Sequence, residues 1–76
     1  MDENLINMQK SQKIGEINNF ITSLQIQRNN LQNYRSDLNA SWSGEEMTYI
    51  NAVIDQIENE INLIIRRCQE INYYLQ

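Results

Sequence analysis

The residues of this chain that could do chemistry are a few carboxylates and one thiol. Asp55, Glu58 and Glu60 lie close together in the sequence, and Cys68 is the only cysteine. The chain has no histidine, so it offers neither an imidazole base beside a nucleophile nor an imidazole ligand for a metal. Clustered carboxylates on a helix are usually a solvated face, and a cysteine among apolar residues usually packs as a small hydrophobe. The sequence therefore predicts no enzyme, no cofactor, no bound metal and no small-molecule substrate.

The composition indicates one small domain that depends on other proteins. The chain has 76 residues, of which 41% are hydrophobic and 21% are charged. A chain of this length buries little core on its own, which favours self-association or a partner. The net charge is -4, with acidic and basic residues mixed along the sequence. This distribution gives no basic surface, so we predict no nucleic-acid partner.

A short stretch near the middle of the chain predicts a turn. Gly44 is one of two glycines and proline is absent, so turn-forming residues are scarce elsewhere. Ser43 followed three residues later by Glu46 matches a capping box, in which each side chain accepts a backbone N–H at the start of a helix. Trp42 is then expected to close the end of the hairpin at the bend. The prediction is one helical hairpin over residues 1–76, with helix one over about 3–40, a Trp-x-Gly turn at 41–44 and helix two over about 45–75.

Both halves of the chain carry the three-and-four spacing of a left-handed coiled coil. On helix one the seam positions are Ile14, Ile17, Ile21, Leu24, Arg28, Leu31, Arg35 and Leu38. On helix two they are Met47, Ile50, Ile54, Ile57, Ile61, Ile64, Cys68, Ile71 and Leu75. Folding the chain at the turn places Leu24 opposite Ile61 and Arg28 opposite Ile57. The sequence therefore predicts an all-α fold, an antiparallel helix-turn-helix hairpin with coiled-coil packing.

Two arginines, Arg28 and Arg35, interrupt the seam of helix one. Polar residues at seam positions commonly fix the register, and an arginine there can extend its charged end to the edge of the seam. We expect Arg28 to meet Glu58 on the facing helix. A polar contact with a partner protein is the alternative interpretation.

Apolar residues outside the seams predict a docking surface. Phe20 and Tyr34 on helix one, and Val53, Ile65 and Tyr74 on helix two, find no cover in a two-helix hairpin. Surplus apolar surface of this kind is typical of hairpins that dock into four-helix bundles. We therefore expect a four-helix bundle, made as a homodimer or a heterodimer, with these residues at the partner interface. On this prediction, Ile65→Asp or Val53→Asp weakens pairing more than it weakens the hairpin.

The Trp42-x-Gly44 turn between two amphipathic helices, with Tyr49 on the first turns of helix two, resembles the WXG family. These proteins are ESAT-like small helical hairpins and substrates of type VII secretion, and the resemblance covers most of the chain. It implies pairing of the hairpin with itself or with a WXG-like relative. It also implies that the type VII secretion machinery reads the Trp-x-Gly turn.

The chain departs from the family pattern at the C-terminal secretion signal, a Tyr followed four residues later by Asp or Glu. Tyr49 has Val53 at that offset, and Tyr34 has Leu38. The resemblance then fits hairpins that bind the helical N-terminal domain of an LXG-type effector and present it for export. The start of the chain is acidic and polar, unlike a secretory signal peptide. We therefore expect synthesis in a bacterial cytoplasm and leaderless type VII export, alone or in complex, to the medium or the cell surface.

Two other interpretations stay open. A homodimeric four-helix-bundle adaptor or regulator, unrelated to secretion, would share the same hairpin. An RNA-binding version of it needs a basic face, which the 6 lysines and arginines do not evidently form. A purely structural coiled coil is the third option, and its mark would be a longer uninterrupted heptad pattern without Trp42-x-Gly44.

Overall fold

The computed structural model describes residues 2–76, with side chains from Glu3 onward, and contains two long α-helices. Helix α1 runs from Asp2–Ser41 and helix α2 from Gly44–Leu75. The helices begin and end within one residue of the predicted bounds. No strand occurs in the described range, and residues late in α2 contact residues early in α1. The all-α antiparallel hairpin predicted from the sequence is confirmed.

Both helices are long because their sequences contain little that interrupts them. Proline is absent, and Gly15 lies on an exposed side of α1. Glu45 and Glu46 occupy the first turn of α2, where a helix N-terminus favours negative charge. Since a helix in a protein gains most of its stability from packing one face, each of these helices needs the other to cover a face.

The link between the helices consists of two residues, Trp42 and Ser43. The N–H of Trp42 donates to the carbonyl oxygen of Leu38 at 2.9 Å, so the hydrogen bonding of α1 continues into the link. Ser43 has an extended backbone, with φ -72° and ψ 162°, and its carbonyl oxygen accepts the N–H of Met47 at 3.0 Å. The chain therefore reverses through one extended residue, and Gly44 does not need a positive φ.

The core is a narrow strip between the helices. Its central cluster of buried residues is Ile21, Leu24, Ile61, Ile65 and Cys68, with Ile17 and Leu31 packed against it. Met47 and Ile54 are also buried and continue the strip toward the turn. Every predicted seam position of α1, from Ile14 to Leu38, is buried or half-buried. The predicted seam of α1 is therefore confirmed.

Helix α2 turns a different side toward α1 from the one predicted. The positions every seven residues from Met47 to Leu75 are buried or half-buried as expected. The prediction placed the residue three positions after each of these in the seam as well. In the structure the residue four positions later faces inward instead, and these residues are Asn51, Glu58, Ile65 and Asn72. Ile57, Ile64 and Ile71, which the prediction placed in the seam, are 37%, 43% and 49% exposed. Successive residues are about 100° apart around a helix, so α2 is rotated toward its more polar side.

The arginines of α1 account for this orientation. Arg28 donates to Asn62, and Arg35 donates to Asp55 at 2.6 Å. The expected contact of Arg28 with Glu58 is therefore wrong: Asn62 lies about one helical turn further along α2, and Glu58 accepts from Gln32 and Arg35 instead. A side of α2 made only of isoleucines would offer the guanidinium groups no acceptor. Leaving such groups unpartnered at a partly buried site costs more than exposing an aliphatic side chain.

The hairpin is long and thin, with principal extents of 64 × 16 × 9 Å. Leu75 near the end of α2 lies beside Lys10 and Lys13 of α1, so the first turns of α1 extend past α2. Leu5 and Met8 in these turns are 55% and 69% exposed. Neither helix between residues 2 and 76 combines the length and apolar character needed to cross a bilayer.

Candidate interaction surface

The hairpin has two long faces, one on each side of the core strip, and both helices contribute to each. The first, which we call the polar face, is formed by Asn18, Gln32, Arg35, Asp55, Glu58, Asn62 and Asn72. Near the open end of the hairpin, the Nδ2 of buried Asn72 donates to the Oδ1 of Asn18 at 2.9 Å. Side chains on this face therefore bind each other across the two helices.

Arg35 is the centre of the polar face. Its Nη2 donates to Asp55 Oδ1 at 2.6 Å and to Glu58 Oε1 at 3.4 Å, and its Nη1 donates to Asn51 Oδ1 at 3.4 Å. Gln32 also donates to Glu58. The hydrogen bond that Arg35 donates to Asp55 raises the pKa of Arg35 above its usual value, so the guanidinium stays charged. These contacts occupy most of the charged and amide groups of this face within the hairpin itself.

Two buried atoms of this network lack a partner in the described part of the chain: Arg35 Nε and Asn72 Oδ1. An incompletely satisfied polar network contributes little net stability, but it discriminates strongly between alternative packings. We therefore interpret the polar face as the feature that sets the rotation of α2.

On the other side, α2 carries a second three-and-four repeat, which we call the outer seam. It consists of Ile50, Val53, Ile57, Glu60, Ile64, Arg67, Ile71 and Tyr74. Among its apolar residues, exposure rises from 37% at Val53 to 83% at Tyr74. At 1.5 Å per residue the outer seam is about 36 Å long. It has the spacing with which one helix packs along another, yet α1 does not cover it.

Helix α1 adds aromatic residues beside the outer seam. A shallow groove between the helices is lined by Gln27, Asn30, Leu31, Tyr34, Ile57 and Ile61. Phe20 lies two heptads before Tyr34 and therefore on the same side of α1. Phe20 is 51% exposed and Tyr34 is 61% exposed. The outer seam together with Phe20 and Tyr34 is called the apolar face below.

The residues predicted for the partner interface divide between this face and the core. Phe20, Tyr34, Val53 and Tyr74 lie along the apolar face, and their role in pairing stays a prediction. Ile65 is different: it is 7% exposed and belongs to the core cluster. Its assignment to the interface is wrong because the rotation of α2 turns it toward α1. The isoleucines that the sequence placed in the seam take the outward position instead.

At the turn, two predictions are wrong: the capping box of Ser43 and Glu46, and the closure of the hairpin end by Trp42. Ser43 is the N-cap of α2, but its side chain makes no capping hydrogen bond, so the capping box with Glu46 is not formed. Residues 41–46 are exposed, and water can satisfy the free N–H groups of an exposed helix end. Trp42 is 52% exposed and does not close the hairpin, whereas Met47 is 4% exposed beside the turn. Two helices alone provide no surface at the bend against which an indole could be buried.

The turn motif is accessible from outside. Trp42 and Tyr49 are 52% and 74% exposed. A Cβ atom built at Gly44 meets nothing within 4 Å, so neither packing nor backbone geometry inside the hairpin demands glycine there. The three residues that carry the family resemblance are thus available for contact.

The chain matches no family model, no curated protein and no solved structure. Membership of the WXG family therefore stays a prediction, based on Trp42, Gly44 and Tyr49 within a confirmed hairpin.

Of the residues that could do chemistry, two carboxylates are brought together on one guanidinium, and the others lie apart from them. Asp55 and Glu58 contact Arg35 on the polar face, whereas Glu60 belongs to the outer seam. Cys68 is a free, buried thiol in the core cluster. Over residues 2–76, no three cysteine or acidic side chains are grouped so that they could hold a metal ion. What this arrangement offers is a long apolar surface for binding another helix.

Proposed function

We propose that this chain is one half of a helical bundle and works by docking its apolar face on another helical hairpin. The observation that carries the proposal is the outer seam, in which Ile57, Ile64 and Ile71 are 37%, 43% and 49% exposed at heptad spacing. Covering apolar surface is worth about 25 cal/mol per Å². A partner helix laid along the seam would gain this stabilisation over its whole length.

The rotation of α2 supports the same proposal. α2 has two adjacent seams: the inward one includes Glu58 and Asn72, while half of the outward one is isoleucine. A chain that acted alone would gain stability by burying its isoleucines. Keeping them outward is favourable in a form of the protein in which something else covers them.

Within this role, we propose a WXG-like substrate or accessory protein of type VII secretion. It would pair with itself or with the helical domain of an LXG-type effector and present that domain for export from a bacterial cytoplasm. The support is the resemblance at Trp42, Gly44 and Tyr49, together with the exposure of both aromatic residues, 52% and 74%. Exposed aromatic side chains are favoured contact residues in protein recognition.

The docking proposal is tested by placing aspartate at two positions of α2. Ile64 belongs to the outer seam, and Asn59 is exposed about 140° away around the helix. We expect Ile64→Asp to weaken association by about tenfold or more, because it places a charge in an apolar contact. Asn59→Asp, the control for added negative charge, leaves association unchanged. Circular dichroism reports the hairpin, and sedimentation equilibrium reports association, alone and with candidate helical domains.

Equal association of the wild type and both variants would reject the docking proposal. Equal loss in both variants would also reject it, because a general effect of negative charge would then explain the result.

The secretion proposal needs a separate readout. In a host with a type VII system, we expect Trp42→Ala to abolish export while leaving the hairpin and its association intact. Tyr73→Ala is the control, because Tyr73 is 74% exposed and lies far from the turn. Export that continues in Trp42→Ala, or that never occurs in the wild type, would favour an adaptor or regulator unrelated to secretion.

A further inference from the structure

We propose that the partner of the outer seam is a second copy of this chain, paired antiparallel along α2. The inference rests on the proposed docking role of the apolar face, and it adds the identity of the partner and the register of pairing. It starts from the two charged residues that interrupt the outer seam, Glu60 and Arg67.

These two residues are one heptad apart on the same edge of the seam, and they carry opposite charges. Among residues 2–76, Glu60 joins no ion pair. Arg67 contacts only Glu70, at 3.3 Å, with 68% and 50% of their side chains exposed. An exposed pair of this kind contributes little, so Arg67 is free to turn to another carboxylate.

The direction of pairing follows from this charge pattern. In a parallel pair, each residue of the seam faces its own copy, so Glu60 would meet Glu60 and Arg67 would meet Arg67. Like charges directly opposed in an interface disfavour it strongly. In an antiparallel pair the order reverses, and Glu60 of each chain lies near Arg67 of the other. The seam is therefore complementary to itself only when the two chains run in opposite directions.

The register follows from the two ends of the seam. The seam has two alternating heptad positions, one that contains Ile50 and one that contains Tyr74. Antiparallel coiled coils pack residues of one such position beside residues of the other on the second helix. All eight residues of the seam find a neighbour when Ile50 lies beside Tyr74 of the second copy. Ile57 then lies beside Arg67 of the second copy, and Glu60 lies beside its Ile64. Every layer contains an apolar residue. Glu60 and the Arg67 of the second copy fall in adjacent layers on one edge, within reach of a salt bridge.

A two-fold symmetric pair repeats this contact twice, as an isologous interface requires. The apolar layers supply the attraction and the charges choose direction and register. A foreign hairpin would not need opposite charges at these spaced positions within one seam. This complementarity is the reason for assigning the seam to a second copy.

Charge reversal tests the assignment. We expect Glu60→Arg and Arg67→Glu each to weaken self-association by about tenfold or more, since each change places two like-charged pairs in the interface. An equimolar mixture of the two variants restores opposite charges at every contact. The mixture therefore forms a mixed dimer more tightly than either variant pairs with itself. Sedimentation equilibrium gives the affinities, native mass spectrometry identifies the mixed dimer, and circular dichroism checks that both variants remain helical.

The outcomes separate this inference from the docking proposal. If the wild type dimerises but both variants pair as well as it does, the register is wrong, while a loss in Ile64→Asp would still support docking. A wild type that stays monomeric throughout the concentration series overturns the second copy as the partner. Docking would then be judged by whether Ile64→Asp, but not Asn59→Asp, loses binding to a different helical domain.

Discussion

The polar and apolar faces of this hairpin are made by the same two helices, but they differ in whether their side chains find partners within the chain. On the polar face, Arg35, Asp55, Glu58 and Asn72 find their partners within the chain. On the apolar face, the isoleucines of the outer seam keep the spacing of a helix interface without a helix to pack on. The difference shows that a few polar contacts in a small hairpin can decide which apolar surface is left for others.

The difference is also one of energy. Hydrogen bonds and ion pairs on the polar face are partly exposed to water. Such contacts contribute modestly to stability, but they fix the orientation of one helix against the other. The exposed part of the apolar face contributes nothing to the hairpin until it is covered. Substitutions on the polar face should therefore affect folding, whereas substitutions on the apolar face should affect association.

The largest expected effect comes from the core residue between the faces. Ile65 is 7% exposed, so Ile65→Asp buries a charge and should cost about 3 kcal/mol or more. A chain of this size has little stability to lose, and we expect loss of helical structure by circular dichroism. Ile64→Asp, one residue earlier, should keep the helix content and lose association. A folded Ile65→Asp variant with impaired pairing would contradict the assignment of these neighbours to core and interface.

The next effect concerns the hydrogen bond between Asn18 and Asn72 on the polar face. Asn18→Leu removes the hydrogen-bond partner of the buried Asn72 amide and should destabilise the hairpin by about 1–3 kcal/mol. The double change Asn18→Leu with Asn72→Leu removes both groups and should be close to neutral. Urea unfolding of the wild type, both single variants and the double variant measures the coupling. Additive losses would mean that the two amides do not interact.

A smaller effect is expected at the centre of the polar face. Arg35→Met removes hydrogen bonds to Asp55, Glu58 and Asn51 and should lower the melting temperature by a few degrees. Lys13→Met breaks the Lys13–Glu16 pair, whose side chains are 64% and 53% exposed, and should change it little. Both variants are compared by thermal unfolding. Equal effects would show that the position of Arg35 between the helices gives it no special role.

The smallest effect concerns a residue on neither face. Gly15 lies inside α1, and a Cβ atom built there meets nothing within 4 Å. Gly15→Ala should therefore stabilise the hairpin by about 0.5–1 kcal/mol through helix propensity alone. Association should not change, as sedimentation equilibrium can check. Weaker association would reveal that a partner approaches this side of α1, and the apolar face would then not be the sole docking surface.

The fold was largely predictable because its signals are local. The seam of α1 and both helix bounds follow from the spacing of apolar residues and from the single plausible turn. The rotation of α2 was not predictable from its own pattern, since Met47, Ile54 and Ile61 belong both to the predicted seam and to the side that faces α1 in the structure. Apolar content alone favours the predicted seam, which continues through Ile57, Ile64 and Ile71. The choice is made by Arg28 and Arg35 on the other helix, which need acceptors that only the more polar side supplies.

The turn illustrates the same limit on a smaller scale. The sequence correctly places Ser43 at the N-cap, because backbone position follows from where the helices end. It does not predict whether the hydroxyl makes its bond, because an exposed N-terminus can be satisfied by water. Nor does the sequence reveal that Trp42 stays exposed at the bend, where two helices provide no surface to cover an indole.

The most direct test of the central claim is to observe which isoleucine of α2 contacts α1 in solution. Methyl NOE spectra can be recorded on the wild type with isotope filtering, which separates contacts within one chain from contacts between chains. The orientation described here predicts intramolecular NOEs from Ile65 to the methyl groups of Leu24 or Ile21, and none from Ile64. Intramolecular NOEs from Ile64 to Ile21, without any from Ile65, would place Ile64 inside the hairpin and contradict this orientation of α2.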